Sequence, residues 1–309
     1  MIHLRSAEAQ GELCNANSKS RTPITNALSV DVEDYFQVEA FKAIIDRSMW
    51  DSQPSRVVAN TIRVLELFSA ANVKATFFVL GWVAMRFPDM VRRIAREGHE
   101  IASHGFSHEL AHSQSPAAFR EDVQRAKALL EDISGGAVRG FRAPTFSIGP
   151  GNWWAYEILA EMGYKYSSSV YPISHDLYGS PDAQRIPFLP VVGSNFLEIP
   201  IGTIRLFNKN RPCGGGGYFR LLPYEVSRWC IRRLNLVERM PCVFYCHPWE
   251  FDPGQPRQSQ APLKSRIRHY LNIGKMEHRT ARLLHDFSWG RIDEVYFSNP
   301  LVGLVEKSD

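Results

Sequence analysis

A chain of 309 residues, 44% apolar and 12% aromatic, carries enough core-forming side chains to exclude disorder as its main state. Its 36 basic and 32 acidic residues leave a net charge of +4, too small for a protein whose task is to coat nucleic acid. The length fits one large barrel or two modest domains.

Residues 1 to about 25 are polar and aperiodic, which predicts a flexible tail without an apolar leader core. The run NALSVDVEDYF then starts as a strand and ends in acids. In Ser55 to Ala70, Val58, Ile62, Leu65 and Phe68 recur at helical spacing. ATFFVLG reads as a buried strand, and Pro88 to Glu97 as a short helix stopped by Gly98. HEIASH predicts a strand, Ser115 to Ser134 a helix, GFRAP a strand, and Asn152 to Met162 a helix ended by Gly163. Strands alternating with helices predict a parallel sheet, open or closed into a barrel. Chemistry in such folds gathers at the C-terminal ends of the strands. Tyr171 to Gly217 breaks the rhythm with six prolines and the run Gly214 to Gly217, and long irregular excursions of this kind are functional or disordered.

The five cysteines, Cys14, Cys213, Cys230, Cys242 and Cys246, form no disulfide framework and favour a reducing compartment. The longest apolar stretch, Ala75 to Phe87, is interrupted by Gly81 and Arg86 and is too short to span a bilayer. A cytoplasmic protein, peripheral at the inner membrane at most, is expected. Between Gly254 and His285 seven basic residues face one acid, a local +6 that leaves −2 for the remaining 277 residues. A solvated helix face explains such a segment; contact with an anionic polymer or membrane surface is the sharper alternative. Ala261 to Phe287 is expected to be helical.

Asp31, Glu33 and Asp34 end the first strand. Three carboxylates within four residues repel one another, and at the end of an apolar strand a divalent cation is the economical compensation. His104 and His108 form H-x-x-x-H, and two imidazoles four apart on one face of a helical turn can grip one metal ion. Two histidines with one carboxylate leave coordination positions open for water and substrate, as catalytic sites require. Arg142 ends a third strand and could hold a carboxylate bidentately, or simply cover the strand end. His247 ends the apolar run VFYC, where a core histidine is the ordinary reading; its place at a strand end favours catalysis. His99 and His112 read as surface residues.

SVDVED, TFFVLG, GHEIASHGFSH, GFRAP, GYKYSSSVYP and FYCHPWE, in this order and spacing, resemble the polysaccharide deacetylases of the NodB-homology type, carbohydrate esterase family four. The wording DVEDYFQVEAF resembles more narrowly the subfamily encoded in exopolysaccharide loci beside exosortase and PEP-CTERM systems. The resemblance covers about Asn26 to Pro253 and implies a distorted (β/α) barrel. The domain order expected from it is a tail over 1–25, a deacetylase domain over 26–253 and a basic helical C-terminal extension over 254–309. It also implies a divalent metal, zinc foremost with cobalt or nickel as alternatives, and an N-acetylated oligo- or polysaccharide substrate.

By this likeness Asp31 is the base, Asp34 the metal ligand with Glu33 as rival, His104 and His108 the remaining ligands, Arg142 the residue that orients Asp31, and His247 the general acid. Pro144, Tyr166 and Trp249 are expected at the substrate, with Trp153, Trp154 and Tyr171 as further stacking candidates. Gly105 stands where the family has Ser or Thr, and Ser167 where it commonly has the aspartate that supports the catalytic histidine, so that either another acid such as Asp176 or Glu250 partners His247 or its pKa is less raised and the acid step weaker. A branch of the same fold that opens cyclic amides is the alternative, favoured by a small closed pocket over a groove. A non-catalytic carbohydrate-binding module, marked by absence of metal, is the other.

Overall fold

The computed structural model describes residues 23–298. Residues 1–22 of the tail expected over 1–25, with Cys14, lie outside the described residues, as do the last eleven residues of the expected C-terminal extension, whereas Thr25 already opens the first strand.

The first half alternates as the periodicity predicts. β1 (Thr25–Val32) is followed by α1 (Val57–Ala70), β2 (Thr76–Val79), α2 (Gly81–Arg86), α3 (Pro88–Arg96) and β3 (Glu100–Ser103). Then come α4 (Pro116–Ser134), β4 (Gly140–Phe141), α5 (Trp154–Glu161) and β5 (Tyr166–Ser167). Ser115 caps α4 by accepting from Ala118 N–H, Pro116 opens it, and Gly135 ends it at a φ of +71°.

The second half is less regular: β6 (Leu197–Glu198), an antiparallel pair β7 (Thr203–Leu206) and β8 (Lys209–Pro212), α6 (Gly216–Leu221), α7 (Tyr224–Leu236) and β9 (Val243–Cys246). α8 (Leu263–Tyr270), α9 (Met276–Asp286), β10 (Ser288–Gly290) and α10 (Ile292–Phe297) complete the described chain.

The parallel sheet runs β10-β1-β2-β3-β4-β5-β6, with β9 also pairing β1. Between β6 and β9 the barrel closes without a regular strand. Gly202 N–H donates to Val243 O at 3.0 Å and Tyr245 N–H to Gly214 O at 3.2 Å. Glycine is required at Gly214, where a Cβ would stand 2.0 Å from Val243 O. The irregular excursion is therefore the closing seam of a distorted (β/α) barrel.

Alternation along the strands sorts the side chains. Leu28, Val30 and Val32 face the helices, whereas Ser29 and Asp31 share the opposite face with Phe78, their neighbour's inward residue. Ala102, Tyr166 and Tyr245 lie inside the barrel by the same rule. His104, Ser168 and His247, each two residues further on, carry that inward parity to the strand ends.

Residues beyond 253 are not an appendage. β10 pairs with Thr25–Ala27 of β1, and His269 of α8 stacks on Trp249 with centroids 4.1 Å apart. The basic surplus is largely used inside the fold: Lys264 and Arg268 pair with Asp176, Arg282 pairs with Glu225, Arg257 lies over Tyr270, and Arg279 donates to three carbonyls that end α6. Deleting 254–309 would remove a strand from the sheet. No described helix is long and apolar enough to cross a membrane.

Candidate active site

Glu33, His104 and His108 are buried, and one ligand atom from each lies within 4.8 Å of the others. His104 Nδ1 is 2.8 Å from Arg142 O. A carbonyl only accepts, so Nδ1 carries the proton and Nε2 presents its lone pair. Burial, the main cause, lowers the imidazole to about 4 and keeps it neutral, the ligating form.

Glu33 Oε2 is a buried oxygen without a hydrogen bond and lies 2.8 Å from His108 Nε2. An oxygen and an imidazole nitrogen that close need a proton or a cation between them. Burial would raise the Glu33 carboxyl, but His108, with His247 and His104, holds it down at about 2. This donor set fits a divalent metal with coordination positions to spare.

The two histidines do not meet on a helix. Residues 104–108 form a turn in which Gly105 has a φ of +74° and His108 of +54°, and it brings the rings to 5.4 Å. At Gly105 a side chain would be strained, and its Cβ would stand 2.9 Å from Asp122 Oδ2, which already accepts from Phe106 N–H.

Asp34 is not brought to this cluster. Its Oδ2 accepts from Ser55 Oγ and the N–H groups of Arg56 and Val57, its Oδ1 from Tyr35 N–H. It caps the first turn of α1 from 23 residues away, a use of carboxylate set by the unpaired amides there. Parity explains the exchange. Ser29, Asp31 and Glu33 share the inward face, and Asp34 shares the outward face of Val30 and Val32.

Arg142 is fully buried and tied on both sides. It donates to Asp31 Oδ1 at 2.6 Å, to Ser29 Oγ at 2.9 Å, and through Nε and Nη2 to the carbonyl and hydroxyl of Ser168. Its guanidinium lies 4.1 Å over the Phe78 ring. Asp31 is thereby fixed, though by one oxygen rather than bidentately. Removing the Ser168 hydroxyl alone (Ser168→Ala) leaves one buried charged donor unmatched, and should lower stability by about 1–3 kcal/mol in denaturant unfolding.

His247 faces the same space, with Nε2 3.6 Å from Glu33 Oε1 and Nδ1 3.8 Å from Glu250 Oε1. Burial works to lower the imidazole, but Glu250, Glu33 and Asp31 together raise it to about 9. Glu250 is in turn paired with the buried Arg220 at 3.2 Å, and a Cβ at Gly216 would lie 2.0 Å from Glu250 Oε2 and displace the carboxylate. Burial favours the protonated Glu250 carboxyl, yet Arg220 and His247 outweigh it and hold its pKa below the usual range. Asp176, the other candidate partner, instead pairs with Lys264 and Arg268. Ser167, which stands where the family commonly has an aspartate, donates to Ser169 Oγ.

Of the expected substrate residues, Trp249 borders the cavity, whereas Tyr166 and Pro144 do not. Tyr166 is fully buried one layer below Arg142, and its hydroxyl donates to Glu100. Trp249 borders the cavity but is largely buried, its ring stacked with those of His247 at 5.1 Å and His269 at 4.1 Å. Its Nε1–H donates to Glu33 Oε1. Pro144 is buried at the turn after β4, while its neighbours Ala143 and Thr145 line the cavity. Trp154 packs on Phe119, and Tyr171 is buried. His99 is buried rather than at the surface and accepts from Ala75 N–H.

Asp31, Glu33, His104, His108, His247 and Glu250 border one cavity of about 320 Å³, to which Tyr178 and Tyr218 also contribute. The two tyrosines and Arg220 carry no motif and could not be singled out from the sequence.

Comparison with known proteins is consistent with this geometry. Residues 48–167 match the family described as polysaccharide deacetylase, and residues 168–297 match a domain described only as of unknown function. A peptidoglycan-N-acetylglucosamine deacetylase of Bacillus cereus is 37% identical over 84 residues, 27% of this chain and 30% of that protein. A chitooligosaccharide deacetylase of Bradyrhizobium is 29% identical over 153 residues, 49% of this chain and 65% of that protein. The chain thus spans under two thirds of the length of these relatives. A Mycobacterium smegmatis protein provisionally named a polysaccharide deacetylase shares the fold, with a TM-score of 0.59 at 20% identity over 93% of this chain and 98% of that one. Motif order, barrel topology and matched residues agree, and residues 48–167 are a polysaccharide deacetylase domain of the NodB-homology type, carbohydrate esterase family four.

Proposed function

We propose that the chain hydrolyses N-acetyl groups from an N-acetylhexosamine-containing oligo- or polysaccharide, with a divalent metal held by Glu33, His104 and His108. One observation carries the reading: this trio opens on the same cavity as Asp31 and His247, and a buried arginine anchors each of them, Arg142 directly and Arg220 through Glu250. A divalent cation, zinc first and cobalt or nickel next, would supply Lewis acidity toward a carbonyl and a lowered pKa for water. Asp31, held in place by Arg142, takes the proton of the attacking water. His247, kept protonated by Glu250, gives a proton to the departing nitrogen, so that acetate and a sugar amine leave. The names of the Bacillus and Bradyrhizobium relatives make N-acetylglucosamine glycans the first substrates to try. A place in exopolysaccharide biosynthesis, in the cytoplasm or at its membrane, belongs to the same proposal; the DVEDYFQVEAF wording and the free thiols of Cys213, Cys230, Cys242 and Cys246 support it.

The test is acetate release from N-acetylglucosamine oligomers by the full chain, stripped with chelator and reloaded with each metal. Release is expected to fall at least about a hundredfold on stripping, the worth of several kcal/mol of Lewis-acid stabilisation, and to return on add-back. A protein that binds no metal and releases nothing would be a binding module. The small size of the cavity favours a second reading, ring-opening of a cyclic amide, which the same protein assayed on such a ring would reveal. Trp249→Phe keeps an aromatic ring, smaller than the indole, but removes the N–H to Glu33. It should weaken metal binding about 10- to 100-fold, as loss of a ligand's supporting hydrogen bond does, read by competition with a chromogenic chelator.

A further inference from the structure

Of the seven segments that wall the cavity above Asp31 and His247, five are tied each to the next around its mouth, with α6 and the turn after β9 completing the wall. Arg47, beyond β1, forms an ion pair with Glu109, beyond β3. That second segment meets the turn after β4 where Ala111 N–H donates to Ser147 Oγ at 2.9 Å. The turn meets the loop over 171–180 through the rings of Phe146 and Tyr178, 5.8 Å apart. From that loop Asp176 reaches α8, taking Arg268 Nη1 at 2.8 Å and Lys264 Nζ at 2.5 Å. α8 returns to the first segment where the His269 ring lies 4.6 Å from that of Phe41.

The rim closes on itself. Its floor is recessed accordingly, with Asp31 and His104 each only 2% exposed. The cavity, about 320 Å³, is at the small end of ligand pockets, which run from about 300 to 1,000 Å³. A polymer deacetylated at an interior unit must enter on one side and leave on the opposite one, which needs two gaps in the rim.

We infer that the site takes a terminal N-acetylhexosamine, at a chain end or as a free sugar, and excludes interior units. This rests on the deacetylase reading. The loop over 171–180 and α8 both lie in residues 168–297, so the region matched only to a domain of unknown function decides which unit of the glycan reaches Asp31. Asp176 is the contact that joins its two parts across the mouth.

The experiment uses the full, metal-loaded chain and an N-acetylglucosamine pentamer labelled at its reducing end, with the position of the first lost acetyl group read by tandem mass spectrometry. Terminal product should exceed all interior products by at least about tenfold, a discrimination that steric exclusion supplies readily. Asp176→Lys sets a third cation against Lys264 and Arg268 and parts the loop from α8. It should lower the terminal preference at least about fivefold while total acetate release stays within about twofold. Acetate lost chiefly from interior units overturns this inference and leaves the deacetylase reading standing. An unchanged preference in Asp176→Lys at retained activity overturns the role of the rim. No acetate from any oligomer overturns the deacetylase reading and this inference with it.

Discussion

Replacing Glu33 by Gln is expected to abolish metal binding at the proposed site, and replacing Asp34 by Ala is not. Glu33 faces His104 and His108 with an oxygen that makes no hydrogen bond, whereas both oxygens of Asp34 are taken by Tyr35, Ser55, Arg56 and Val57. The Gln variant keeps shape and burial but loses the anionic donor. Acetate release should fall about a thousandfold, since the Lewis-acid contribution is worth several kcal/mol at about 1.36 kcal/mol per tenfold. Asp34→Ala strands the first amides of α1 in a buried place, which should lower unfolding free energy by about 2–3 kcal/mol with metal content unchanged. Metal analysis after dialysis and denaturant unfolding separate the two. Metal lost from folded Asp34→Ala and kept by Glu33→Gln would return the ligand role to Asp34.

The pair shows what in this site was legible and what was not. His104, Arg142 and His247 can be read from the sequence because each ends an apolar run that only a buried strand explains, and parallel strands deliver their ends to one face. The inward parity of Ser29 and Asp31, carried two residues on, points to Glu33. Motif spacing points to Asp34 instead, because it says nothing of which neighbour the α1 amides will capture. Tyr166 misleads for a related reason, and Trp249 meets the cavity with part of its ring already stacked on His269. Aromatic rings near a motif read as platforms for sugar, but their faces and hydroxyls are used by partners distant in the chain, His269 and Glu100. β10 is three residues long, and only its pairing with β1 reveals that the C-terminal helices return to the sheet. Arg220 and Asp176 act through ion pairs 30 and 88 residues apart, beyond any local pattern.

The partner of His247 carries the other large effect. In the family's usual arrangement an aspartate on the fifth strand supports this histidine, and here that place is Ser167. Glu250, three residues after His247 on the same chain turn, stands in from the opposite side, with Arg220 behind it. Burial pulls the imidazole down, while Glu250 and Glu33 lift it to about 9. A cation held by Glu33 would offset that carboxylate's share and leave Glu250 as the lasting support. A raised folded-state value stabilises the protein fully below the ordinary histidine pKa of 6.5, and the gain is lost as pH climbs through about 9. Activity that needs His247 protonated should fall along the same limb. Glu250→Gln keeps the volume but removes the charge, so the alkaline limb should move toward lower pH and kcat should drop about 10²- to 10⁴-fold, the usual worth of a positioned general acid. It also leaves Arg220 buried without its counter-charge, at about 3–5 kcal/mol of stability. Arg220→Met together with Glu250→Gln should recover part of that stability, less the hydrogen bonds Arg220 gives to the carbonyls of His269 and Leu271, and none of the lost rate, because the charge beside His247 is still missing. If the double variant regained the original alkaline limb, Glu250 would not be what holds the proton on His247.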